Sequence, residues 1–358
     1  MQTIKAGARP NRTRRMRASA AILLGLSAVA MPCVAWIGGR APEQPQPVQL
    51  SPLHPTGSTY QQVRLGGTLW LPDEMPDGTP LRGLSDLAWS PAEGILYAVS
   101  DFGWLLRMRP VFTDGRLSDV ELLDGHPLTG ANGRPLKGKW GDAEGLTWAP
   151  GPDGAPALFV SFERIPRITR IDRRGRWLAD LPLPRPFADA AAYAEPNAAL
   201  EALTWHSRLG LLSAPELPPP AFRPAHHTPV FNRDGRQFPY LLHTGPRCAL
   251  VALNAWENDE ILSLERCYED GRLEIALRRS TLPPTAGLAL RPESLAVFRL
   301  QDGWLMDNFE GMTRIGPRGV LLISDDNGST RQRTLLMYLE RLDIPRTPPP
   351  IDTLRLAP

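Results

Sequence analysis

The chain has 358 residues, of which 22% are charged and 42% are apolar, and this is the composition of an ordinary globular protein. Glycine and proline make up about a fifth of it, which predicts many turns and argues against long helices. The formal net charge is +2, but it falls to near −4 when the six positive charges of residues 1–35 are removed, which argues against nucleic acid as a partner.

Residues 1–35 have the pattern of an export signal. Their basic residues lead into an uncharged run from Ala18 to Gly39, whose apolar core reads AAILLGLSAVAMPCVA. This pattern predicts a periplasmic or secreted protein. An uncleaved membrane anchor facing the periplasm is the alternative, since 22 uncharged residues can span a bilayer. In both cases, contact with a membrane is expected only through this segment.

The rest of the chain is expected to form one large domain. Residues 36–58 are rich in proline and are predicted to be a linker, and residues 346–358 are predicted to be a proline-rich tail. Between them, residues 59–345 show short apolar runs separated by turns, with little helical periodicity.

Four segments of this domain resemble one another, which indicates an internal repeat. Each has a short strand, a turn rich in Gly or Pro, and a second strand that ends in an acid. The segments are LSDLAWSPAEGILYAVSD (84–101), AEGLTWAPGPDGAPALFVSFE (143–163), LEALTWHSRLGLLSAPE (200–216) and FEGMTRIGPRGVLLISDD (309–326). We interpret each as part of a four-stranded antiparallel blade. The pattern predicts an all-β propeller of about five or six blades, whereas a sandwich would need two copies at this length.

The wide gap between the third and fourth segments has room for a degenerate blade. It contains CALVALNAW and ILSLERC, joined by the polar turn ENDE, which predicts a β-hairpin. Cys248 and Cys267 would face each other across its strands. A disulfide bond suits an exported protein, and two unpaired buried thiols are the alternative.

Alignment of the segments places acidic residues at two equivalent positions. At the start of the first strand stand Glu144, Glu201 and Glu310, where the first segment has Ser85 followed by Asp86. At the end of the second strand stand Asp101, Glu163, Glu216 and the pair Asp325–Asp326. Because equivalent positions of successive blades face one axis, these side chains are expected to form a ring.

A ring of carboxylates repels itself unless protons or a cation neutralise it. The sequence therefore predicts a metal site, most simply for Ca²⁺, with Glu144, Glu163, Glu201, Glu216, Glu310, Asp325 and Asp326 as ligands. The alternative is that these acids cap strand ends and accept hydrogen bonds from turns.

Arginines follow the acids that close the second strands: Arg164, Arg167 and Arg170 in one segment, Arg331 and Arg333 in another. Arg164, Arg170 and Arg331 are the candidates for binding a phosphate group, since a guanidinium pairs with phosphate through two hydrogen bonds. Ordinary ion pairs on solvated strand faces are the alternative.

The segments DAEGLTW, LFVSFERIPRITRID, NFEGMT and LLISDDNGSTRQRTLL resemble the phytase-like family, also described as esterase-like activity of phytase. The resemblance covers roughly residues 80–340. It implies an exported bacterial protein with phosphoesterase or esterase activity, whose acidic positions match the seven acids predicted as ligands. The first segment departs from the pattern with Ser85–Asp86, and the third has Glu201–Ala202.

The expected function is metal-dependent hydrolysis of a small-molecule phosphate ester, a phosphomonoester or a phosphodiester. Glu144 or Glu310 would be the general base, and Arg164 would act on the phosphate at the reacting centre. A lactonase-type propeller hydrolase is one alternative. A non-catalytic propeller with a structural metal, which binds a ligand or partner, is the other.

Overall fold

A computed structural model describes residues 40–185, 187–224, 226–243 and 247–342. The predicted signal or anchor at 1–35 and the predicted tail at 346–358 lie outside these residues. Within them, no helix is long and apolar enough to cross a membrane. The regular structure of this part is β-strand, with short 3₁₀ turns at Gly138–Trp140, Ala190–Ala192 and Leu300–Asp302.

The described strands form five antiparallel sheets, which are the blades of a β-propeller, as predicted. Blade 1 contains β4 (Leu84–Ser90), β5 (Ile95–Ser100), β6 (Trp104–Thr113) and β7 (Arg116–Pro127). Blade 2 contains β8 (Ala143–Pro150), β9 (Pro156–Phe162), β10 (Arg167–Ile171) and β11 (Trp177–Leu181). Blade 3 contains β12 (Leu200–His206), β13 (Gly210–Pro215), β14 (His227–Asn232) and β15 (Gln237–Leu241).

The last two blades include the cysteine hairpin and the two ends of the domain. Blade 4 contains β16 (Cys248–Ala255), β17 (Glu260–Glu269), β18 (Arg272–Thr281) and β19 (Glu293–Arg299). Blade 5 contains β20 (Asn308–Ile315), β21 (Gly319–Asp325), β22 (Leu335–Arg341) and, from the start of the domain, β1 (Gln46–Pro47), β2 (Thr59–Tyr60) and β3 (Val63–Trp70). The pairing of β3 with β22 closes the ring of blades.

The first strand of each blade is the innermost one. β4 contacts β8, β8 contacts β12, β12 contacts β16, β16 contacts β20, and β20 returns to β4. The five strands therefore surround a common axis. Their starting residues lie at one end of this axis and their closing turns at the other.

The hydrophobic core lies between neighbouring blades. Five clusters of buried apolar side chains each join two blades in succession around the ring. Trp89, Trp148 and Trp205, at equivalent places on β4, β8 and β12, pack against three of these clusters. Burial of apolar surface between blades, at roughly 25 cal/mol per Å², is the main force that holds the ring together.

The proline-rich stretch at 36–58 was expected to pack poorly, and its described part corrects that expectation. β1 pairs with the edge of β3, Leu50 is buried in the core, and the Leu305 amide donates to the Leu50 carbonyl at 2.7 Å. Proline is tolerated at a sheet edge because only one side of an edge strand pairs. A single buried leucine then fixes the segment to blade 5.

Candidate functional site

Every innermost strand has a β-bulge near its start. The extra residue is Ser85 in β4, Glu201 in β12, Val251 in β16 and Glu310 in β20, and in β8 it falls at Glu144–Gly145. A bulge changes the direction of the side chain it carries. The bulges thus explain why the aligned Glu residues occupy one position in successive blades, and they show that the fourth blade has valine there.

The strand register defines the second acidic position in the same way. In each blade, the residue that precedes the bulge on the first strand pairs with a residue near the end of the second strand. These partners are Ser100 in β5, Phe162 in β9, Pro215 in β13, Ser324 in β21 and Glu265 in β17. The next residues are Asp101, Glu163, Glu216, Asp325 and, in blade 4, Arg266. Four blades therefore contribute an acid to this position and one contributes an arginine.

The acids of both positions are close enough to perturb one another. Burial, and then repulsion by Glu163 and Asp142, raises the pKa of Glu144 well above its usual value. The pKa of Glu201 is raised by burial and then by Glu144 and Glu216. For Asp325 the causes are burial, Glu310 and Asp101. The predicted ring is therefore an acidic cluster at one end of the axis.

Arg266 is the cation at the centre of this cluster. Its Nη2 donates to Glu216 at 2.6 Å, and its Nη1 donates to Asn308 at 2.6 Å and forms a short ion pair with Glu310. The Asn308 amide also donates to Glu310 at 3.0 Å. These contacts place one positive charge between Glu216 of blade 3 and Glu310 of blade 5.

On the opposite side of the cluster, the cation that the structure describes is Arg164, which lies at the rim. Ligand oxygens of Asp142, Glu144 and Glu163 all lie within 4.8 Å of one another. Asp142 pairs with Arg164 at 2.8 Å on the exposed rim. Among the described residues, no side chain forms an ion pair or hydrogen bond with the carboxylate of Glu144 or of Glu201. Both residues are buried, with 9% of the surface of Glu144 and 6% of the surface of Glu201 exposed.

A comparison with known families gives this geometry a context. The family model for phytase-like proteins, described as esterase-like activity of phytase, matches residues 79–328. The chain belongs to the phytase-like family. No curated protein matches the sequence.

Two solved structures to which this phytase-like chain is similar are described as propellers. The Cps50 (Swd1) β-propeller domain of Myceliophteria thermophila has 12% sequence identity and a TM-score of 0.36, with 80% of this chain and 84% of that chain covered. The Dos1 propeller has 7% identity and a TM-score of 0.32, with 76% and 72% covered. These likenesses concern the fold alone, and the strand pairing described above establishes it here.

Some acids of the cluster also satisfy backbone groups, and Asp325 does so by accepting from the Asn327 amide at 2.6 Å. Asp326 accepts from the amides of Gly83 and Gly328 at 2.9 and 3.0 Å, and so joins blade 5 to blade 1. Asp86, which follows the bulge of β4, accepts from the amides of Leu146, Met312 and Leu87. The phytase-like chain therefore uses Asp326 and Asp86 to connect blades, and in this structure the predicted metal ligand Asp326 is occupied by amides.

The predicted phosphate-binding arginines lie in different places. Arg164 is at the rim beside Asp142, as described. Arg331 is exposed in the loop between β21 and β22, where its amide donates to Ser329 Oγ. Arg170 has its guanidinium near Gly151, in the turn at the other end of β8 from Glu144. The structure therefore brings Arg164 to the acidic cluster and does not bring Arg170 there.

Reasoning from the sequence missed Arg266 and Asp142. Arg266 lies in the degenerate blade, and alignment of ILSLERC with the ends of the other second strands would have placed it at the acidic position. Asp142 precedes Glu144 by two residues, outside the repeated pattern. The cysteine pairing was one of two open alternatives, and Cys248 and Cys267 are joined by a disulfide bond across β16 and β17.

Two exposed aromatic rings flank the cluster on blades 1 and 2. Phe102 follows Asp101 and is 49% exposed, and Trp140 precedes Asp142 by two residues and is 51% exposed. The loops that carry them are in close contact at Gly103 and Gly141, where a Cβ on Gly141 would lie 3.3 Å from the Cα of Gly103. An organic group bound at the cluster would therefore have flat apolar surfaces beside it.

The donor set fits a hard cation. Asp142, Glu144 and Glu163 are carboxylates, which are the ligands that Ca²⁺ prefers, and Glu201 adds a fourth nearby. Glu144 and Glu201 are buried and have no side-chain partner among the described residues, and such a cation would offset the cost of their charge.

Proposed function

We propose that this chain is an exported, calcium-dependent hydrolase that acts on phosphate esters. The observation that carries the proposal is the group of three carboxylates at the axis, Asp142, Glu144 and Glu163, beside the unpaired Glu201. Membership of the phytase-like family supports hydrolysis as the class of reaction. The finer elements, which are the ion, the substrate and the location, are proposals.

Asp142, Glu144 and Glu163 would hold the cation. When bound there, Ca²⁺ would polarise a phosphoryl oxygen and lower the pKa of a coordinated water. Burial, and then repulsion by the neighbouring Glu144, raises the pKa of Glu201. This makes Glu201 a suitable acceptor for the proton of the attacking water. Glu310 is held by Arg266 and Asn308, which makes it less suited to this role than the sequence predicted.

Arg164 would position the phosphate group. Its side chain is 42% exposed, and its only ion pair among the described residues is with Asp142. If Asp142 held a cation instead of Arg164, the guanidinium at the rim would be available to pair with a phosphate oxygen. Phe102 and Trp140 would contact the alcohol part of the ester.

Export is supported by two independent features. Residues 1–35 carry the signal pattern, and the Cys248–Cys267 disulfide suits an oxidising compartment such as the periplasm.

A non-catalytic propeller is the second candidate, because Arg266 already pairs two of the acids. In that case the ion, if bound, would stabilise the ring, and the rim would bind a ligand or partner.

One set of assays separates these candidates. Purified protein would be analysed for metal content and then for turnover of bis(4-nitrophenyl) phosphate, 4-nitrophenyl phosphate and a sugar lactone, before and after chelation. We expect hydrolysis of a phosphate ester that chelation abolishes and Ca²⁺ restores. Glu144→Gln should abolish it, and Glu121→Gln, an exposed control on β7, should not. Turnover of the lactone alone would favour a lactonase. No turnover of any substrate, with stability unchanged by chelation, would refute the metal-hydrolase proposal.

A further inference from the structure

Arg266 differs from every other residue at its position in the ring. The register that places Asp101, Glu163, Glu216 and Asp325 at the ends of the second strands places Arg266 at the same point of blade 4. The same blade has Val251 in place of the bulge carboxylate. Blade 4 therefore contributes no acid to the centre at either position and contributes one positive charge.

The guanidinium of Arg266 is fixed on several sides. It donates to Glu216 of blade 3 and to Asn308 and Glu310 of blade 5, and its side chain is only 16% exposed. Three partners on two neighbouring blades leave it little freedom. Its nitrogens take the place that oxygen-ligand cations usually take among buried carboxylates.

We propose that Arg266 is a positioning residue that fills the fourth-blade side of the acidic centre with a permanent positive charge and thereby confines the divalent cation to Asp142, Glu144 and Glu163. This inference rests on the proposed metal dependence. It accounts for the arginine that Glu216 and Glu310 share, whereas among the described residues Glu144 and Glu201 have no side-chain partner. It also assigns Glu216 and Glu310 to holding Arg266 instead of the metal.

The test counts ions per chain by calorimetric titration of chelated full-length protein with Ca²⁺. Wild type is expected to bind one ion. Arg266→Gln frees two carboxylates and an amide oxygen, so it should bind a second ion. Arg278→Gln is the matched control, because Arg278 is a buried arginine of the same blade, paired with Glu265 away from the axis, and its loss should leave one ion.

A second variant keeps the test informative if Arg266→Gln does not fold without calcium. Arg266→Met with Glu216→Gln preserves net charge by removing Arg266 together with one of its two carboxylate partners, and it should bind one ion with a dissociation constant within about threefold of wild type. Loss of the ion in this double variant would overturn the proposal, and so would a second ion in wild type. An unchanged stoichiometry and affinity in folded Arg266→Gln would also overturn it.

These outcomes are distinguishable from failure of the proposed function. If wild type binds no ion, the metal centre is refuted. In that case, a gain of one ion by Arg266→Gln would still support the exclusion of a cation by Arg266, and no gain would refute it.

Discussion

Replacement of Asp101 by asparagine should stabilise the metal-free protein, and more so at higher pH. Burial, and then repulsion by Asp142, Glu310 and Asp326, raises the pKa of Asp101 from 3.8 to about 8. Its buried Oδ1 has no hydrogen-bond partner among the described residues. A group whose pKa is raised on folding contributes no cost below its unfolded pKa, and its cost grows until pH reaches the folded value.

The magnitude follows from the size of this pKa shift. At about 1.4 kcal/mol per pH unit, the raised pKa of Asp101 costs the folded state about 5 kcal/mol at pH 8 and about 2 kcal/mol at pH 5, where the folded carboxyl group still holds its proton. Asparagine has nearly the shape of the protonated acid, so Asp101→Asn should recover most of this cost and the gain should rise with pH.

Urea unfolding of chelated protein at pH 5 and pH 8 measures the effect, with the exposed Asp119→Asn as control. The control should change the free energy of unfolding by less than about 0.5 kcal/mol at both values of pH. A gain for Asp101→Asn that is the same at pH 5 and pH 8, or a loss at pH 8, would refute the electrostatic account of the cluster.

Three further predictions concern the ring and its ion. Asp86→Ala leaves three buried backbone amides without their acceptor and should destabilise the protein by about 3 kcal/mol or more in urea unfolding, whereas a loss below about 1 kcal/mol would contradict the bridging role. Reduction of the Cys248–Cys267 bond, which spans 19 residues, should lower the free energy of unfolding by about 2–4 kcal/mol, and a Cys248→Ser/Cys267→Ser variant should be insensitive to reductant. Calcium should raise the melting temperature more at pH 8 than at pH 5, because protons compete for carboxylates such as Glu144 whose pKa is raised, and an equal rise at both would contradict this competition.

Much of the fold was predictable because the repeat has strong local signals. A strand, a tight turn and a strand ending in an acid recur in four segments, and a positive backbone φ at Gly94 and Gly210 explains why two of the turns need glycine. Blade 4 was expected only as a degenerate blade in the gap between the third and fourth segments, with the cysteine hairpin inside it. The strands β2 and β3 lie within the predicted domain, but their place in blade 5 was not predicted, because it depends on the pairing of β3 with a strand more than 250 residues away. β1 falls in the predicted linker.

The acidic cluster was predictable in composition and less so in function. Periodicity shows that Glu144, Glu201 and Glu310 share a position, but it does not show which acids already have partners. Asp326 accepts a hydrogen bond from the Gly83 amide, and Glu310 accepts one from the Arg266 guanidinium. Both contacts join residues that are far apart in sequence. Arg266 lies in blade 4, outside the four aligned segments, and those segments have an acid at its position. The division of the ring into paired and unpaired acids therefore required the three-dimensional arrangement.

We propose that a divalent cation binds at Asp142, Glu144 and Glu163. Crystals grown with Mn²⁺ in place of Ca²⁺ would locate it directly through anomalous scattering. We expect one strong peak within coordination distance of oxygens from all three residues, and the peak should disappear in Glu144→Gln. A peak next to Glu216 and Glu310 instead, or no peak at the axis of crystals that contain the ion, would contradict the account.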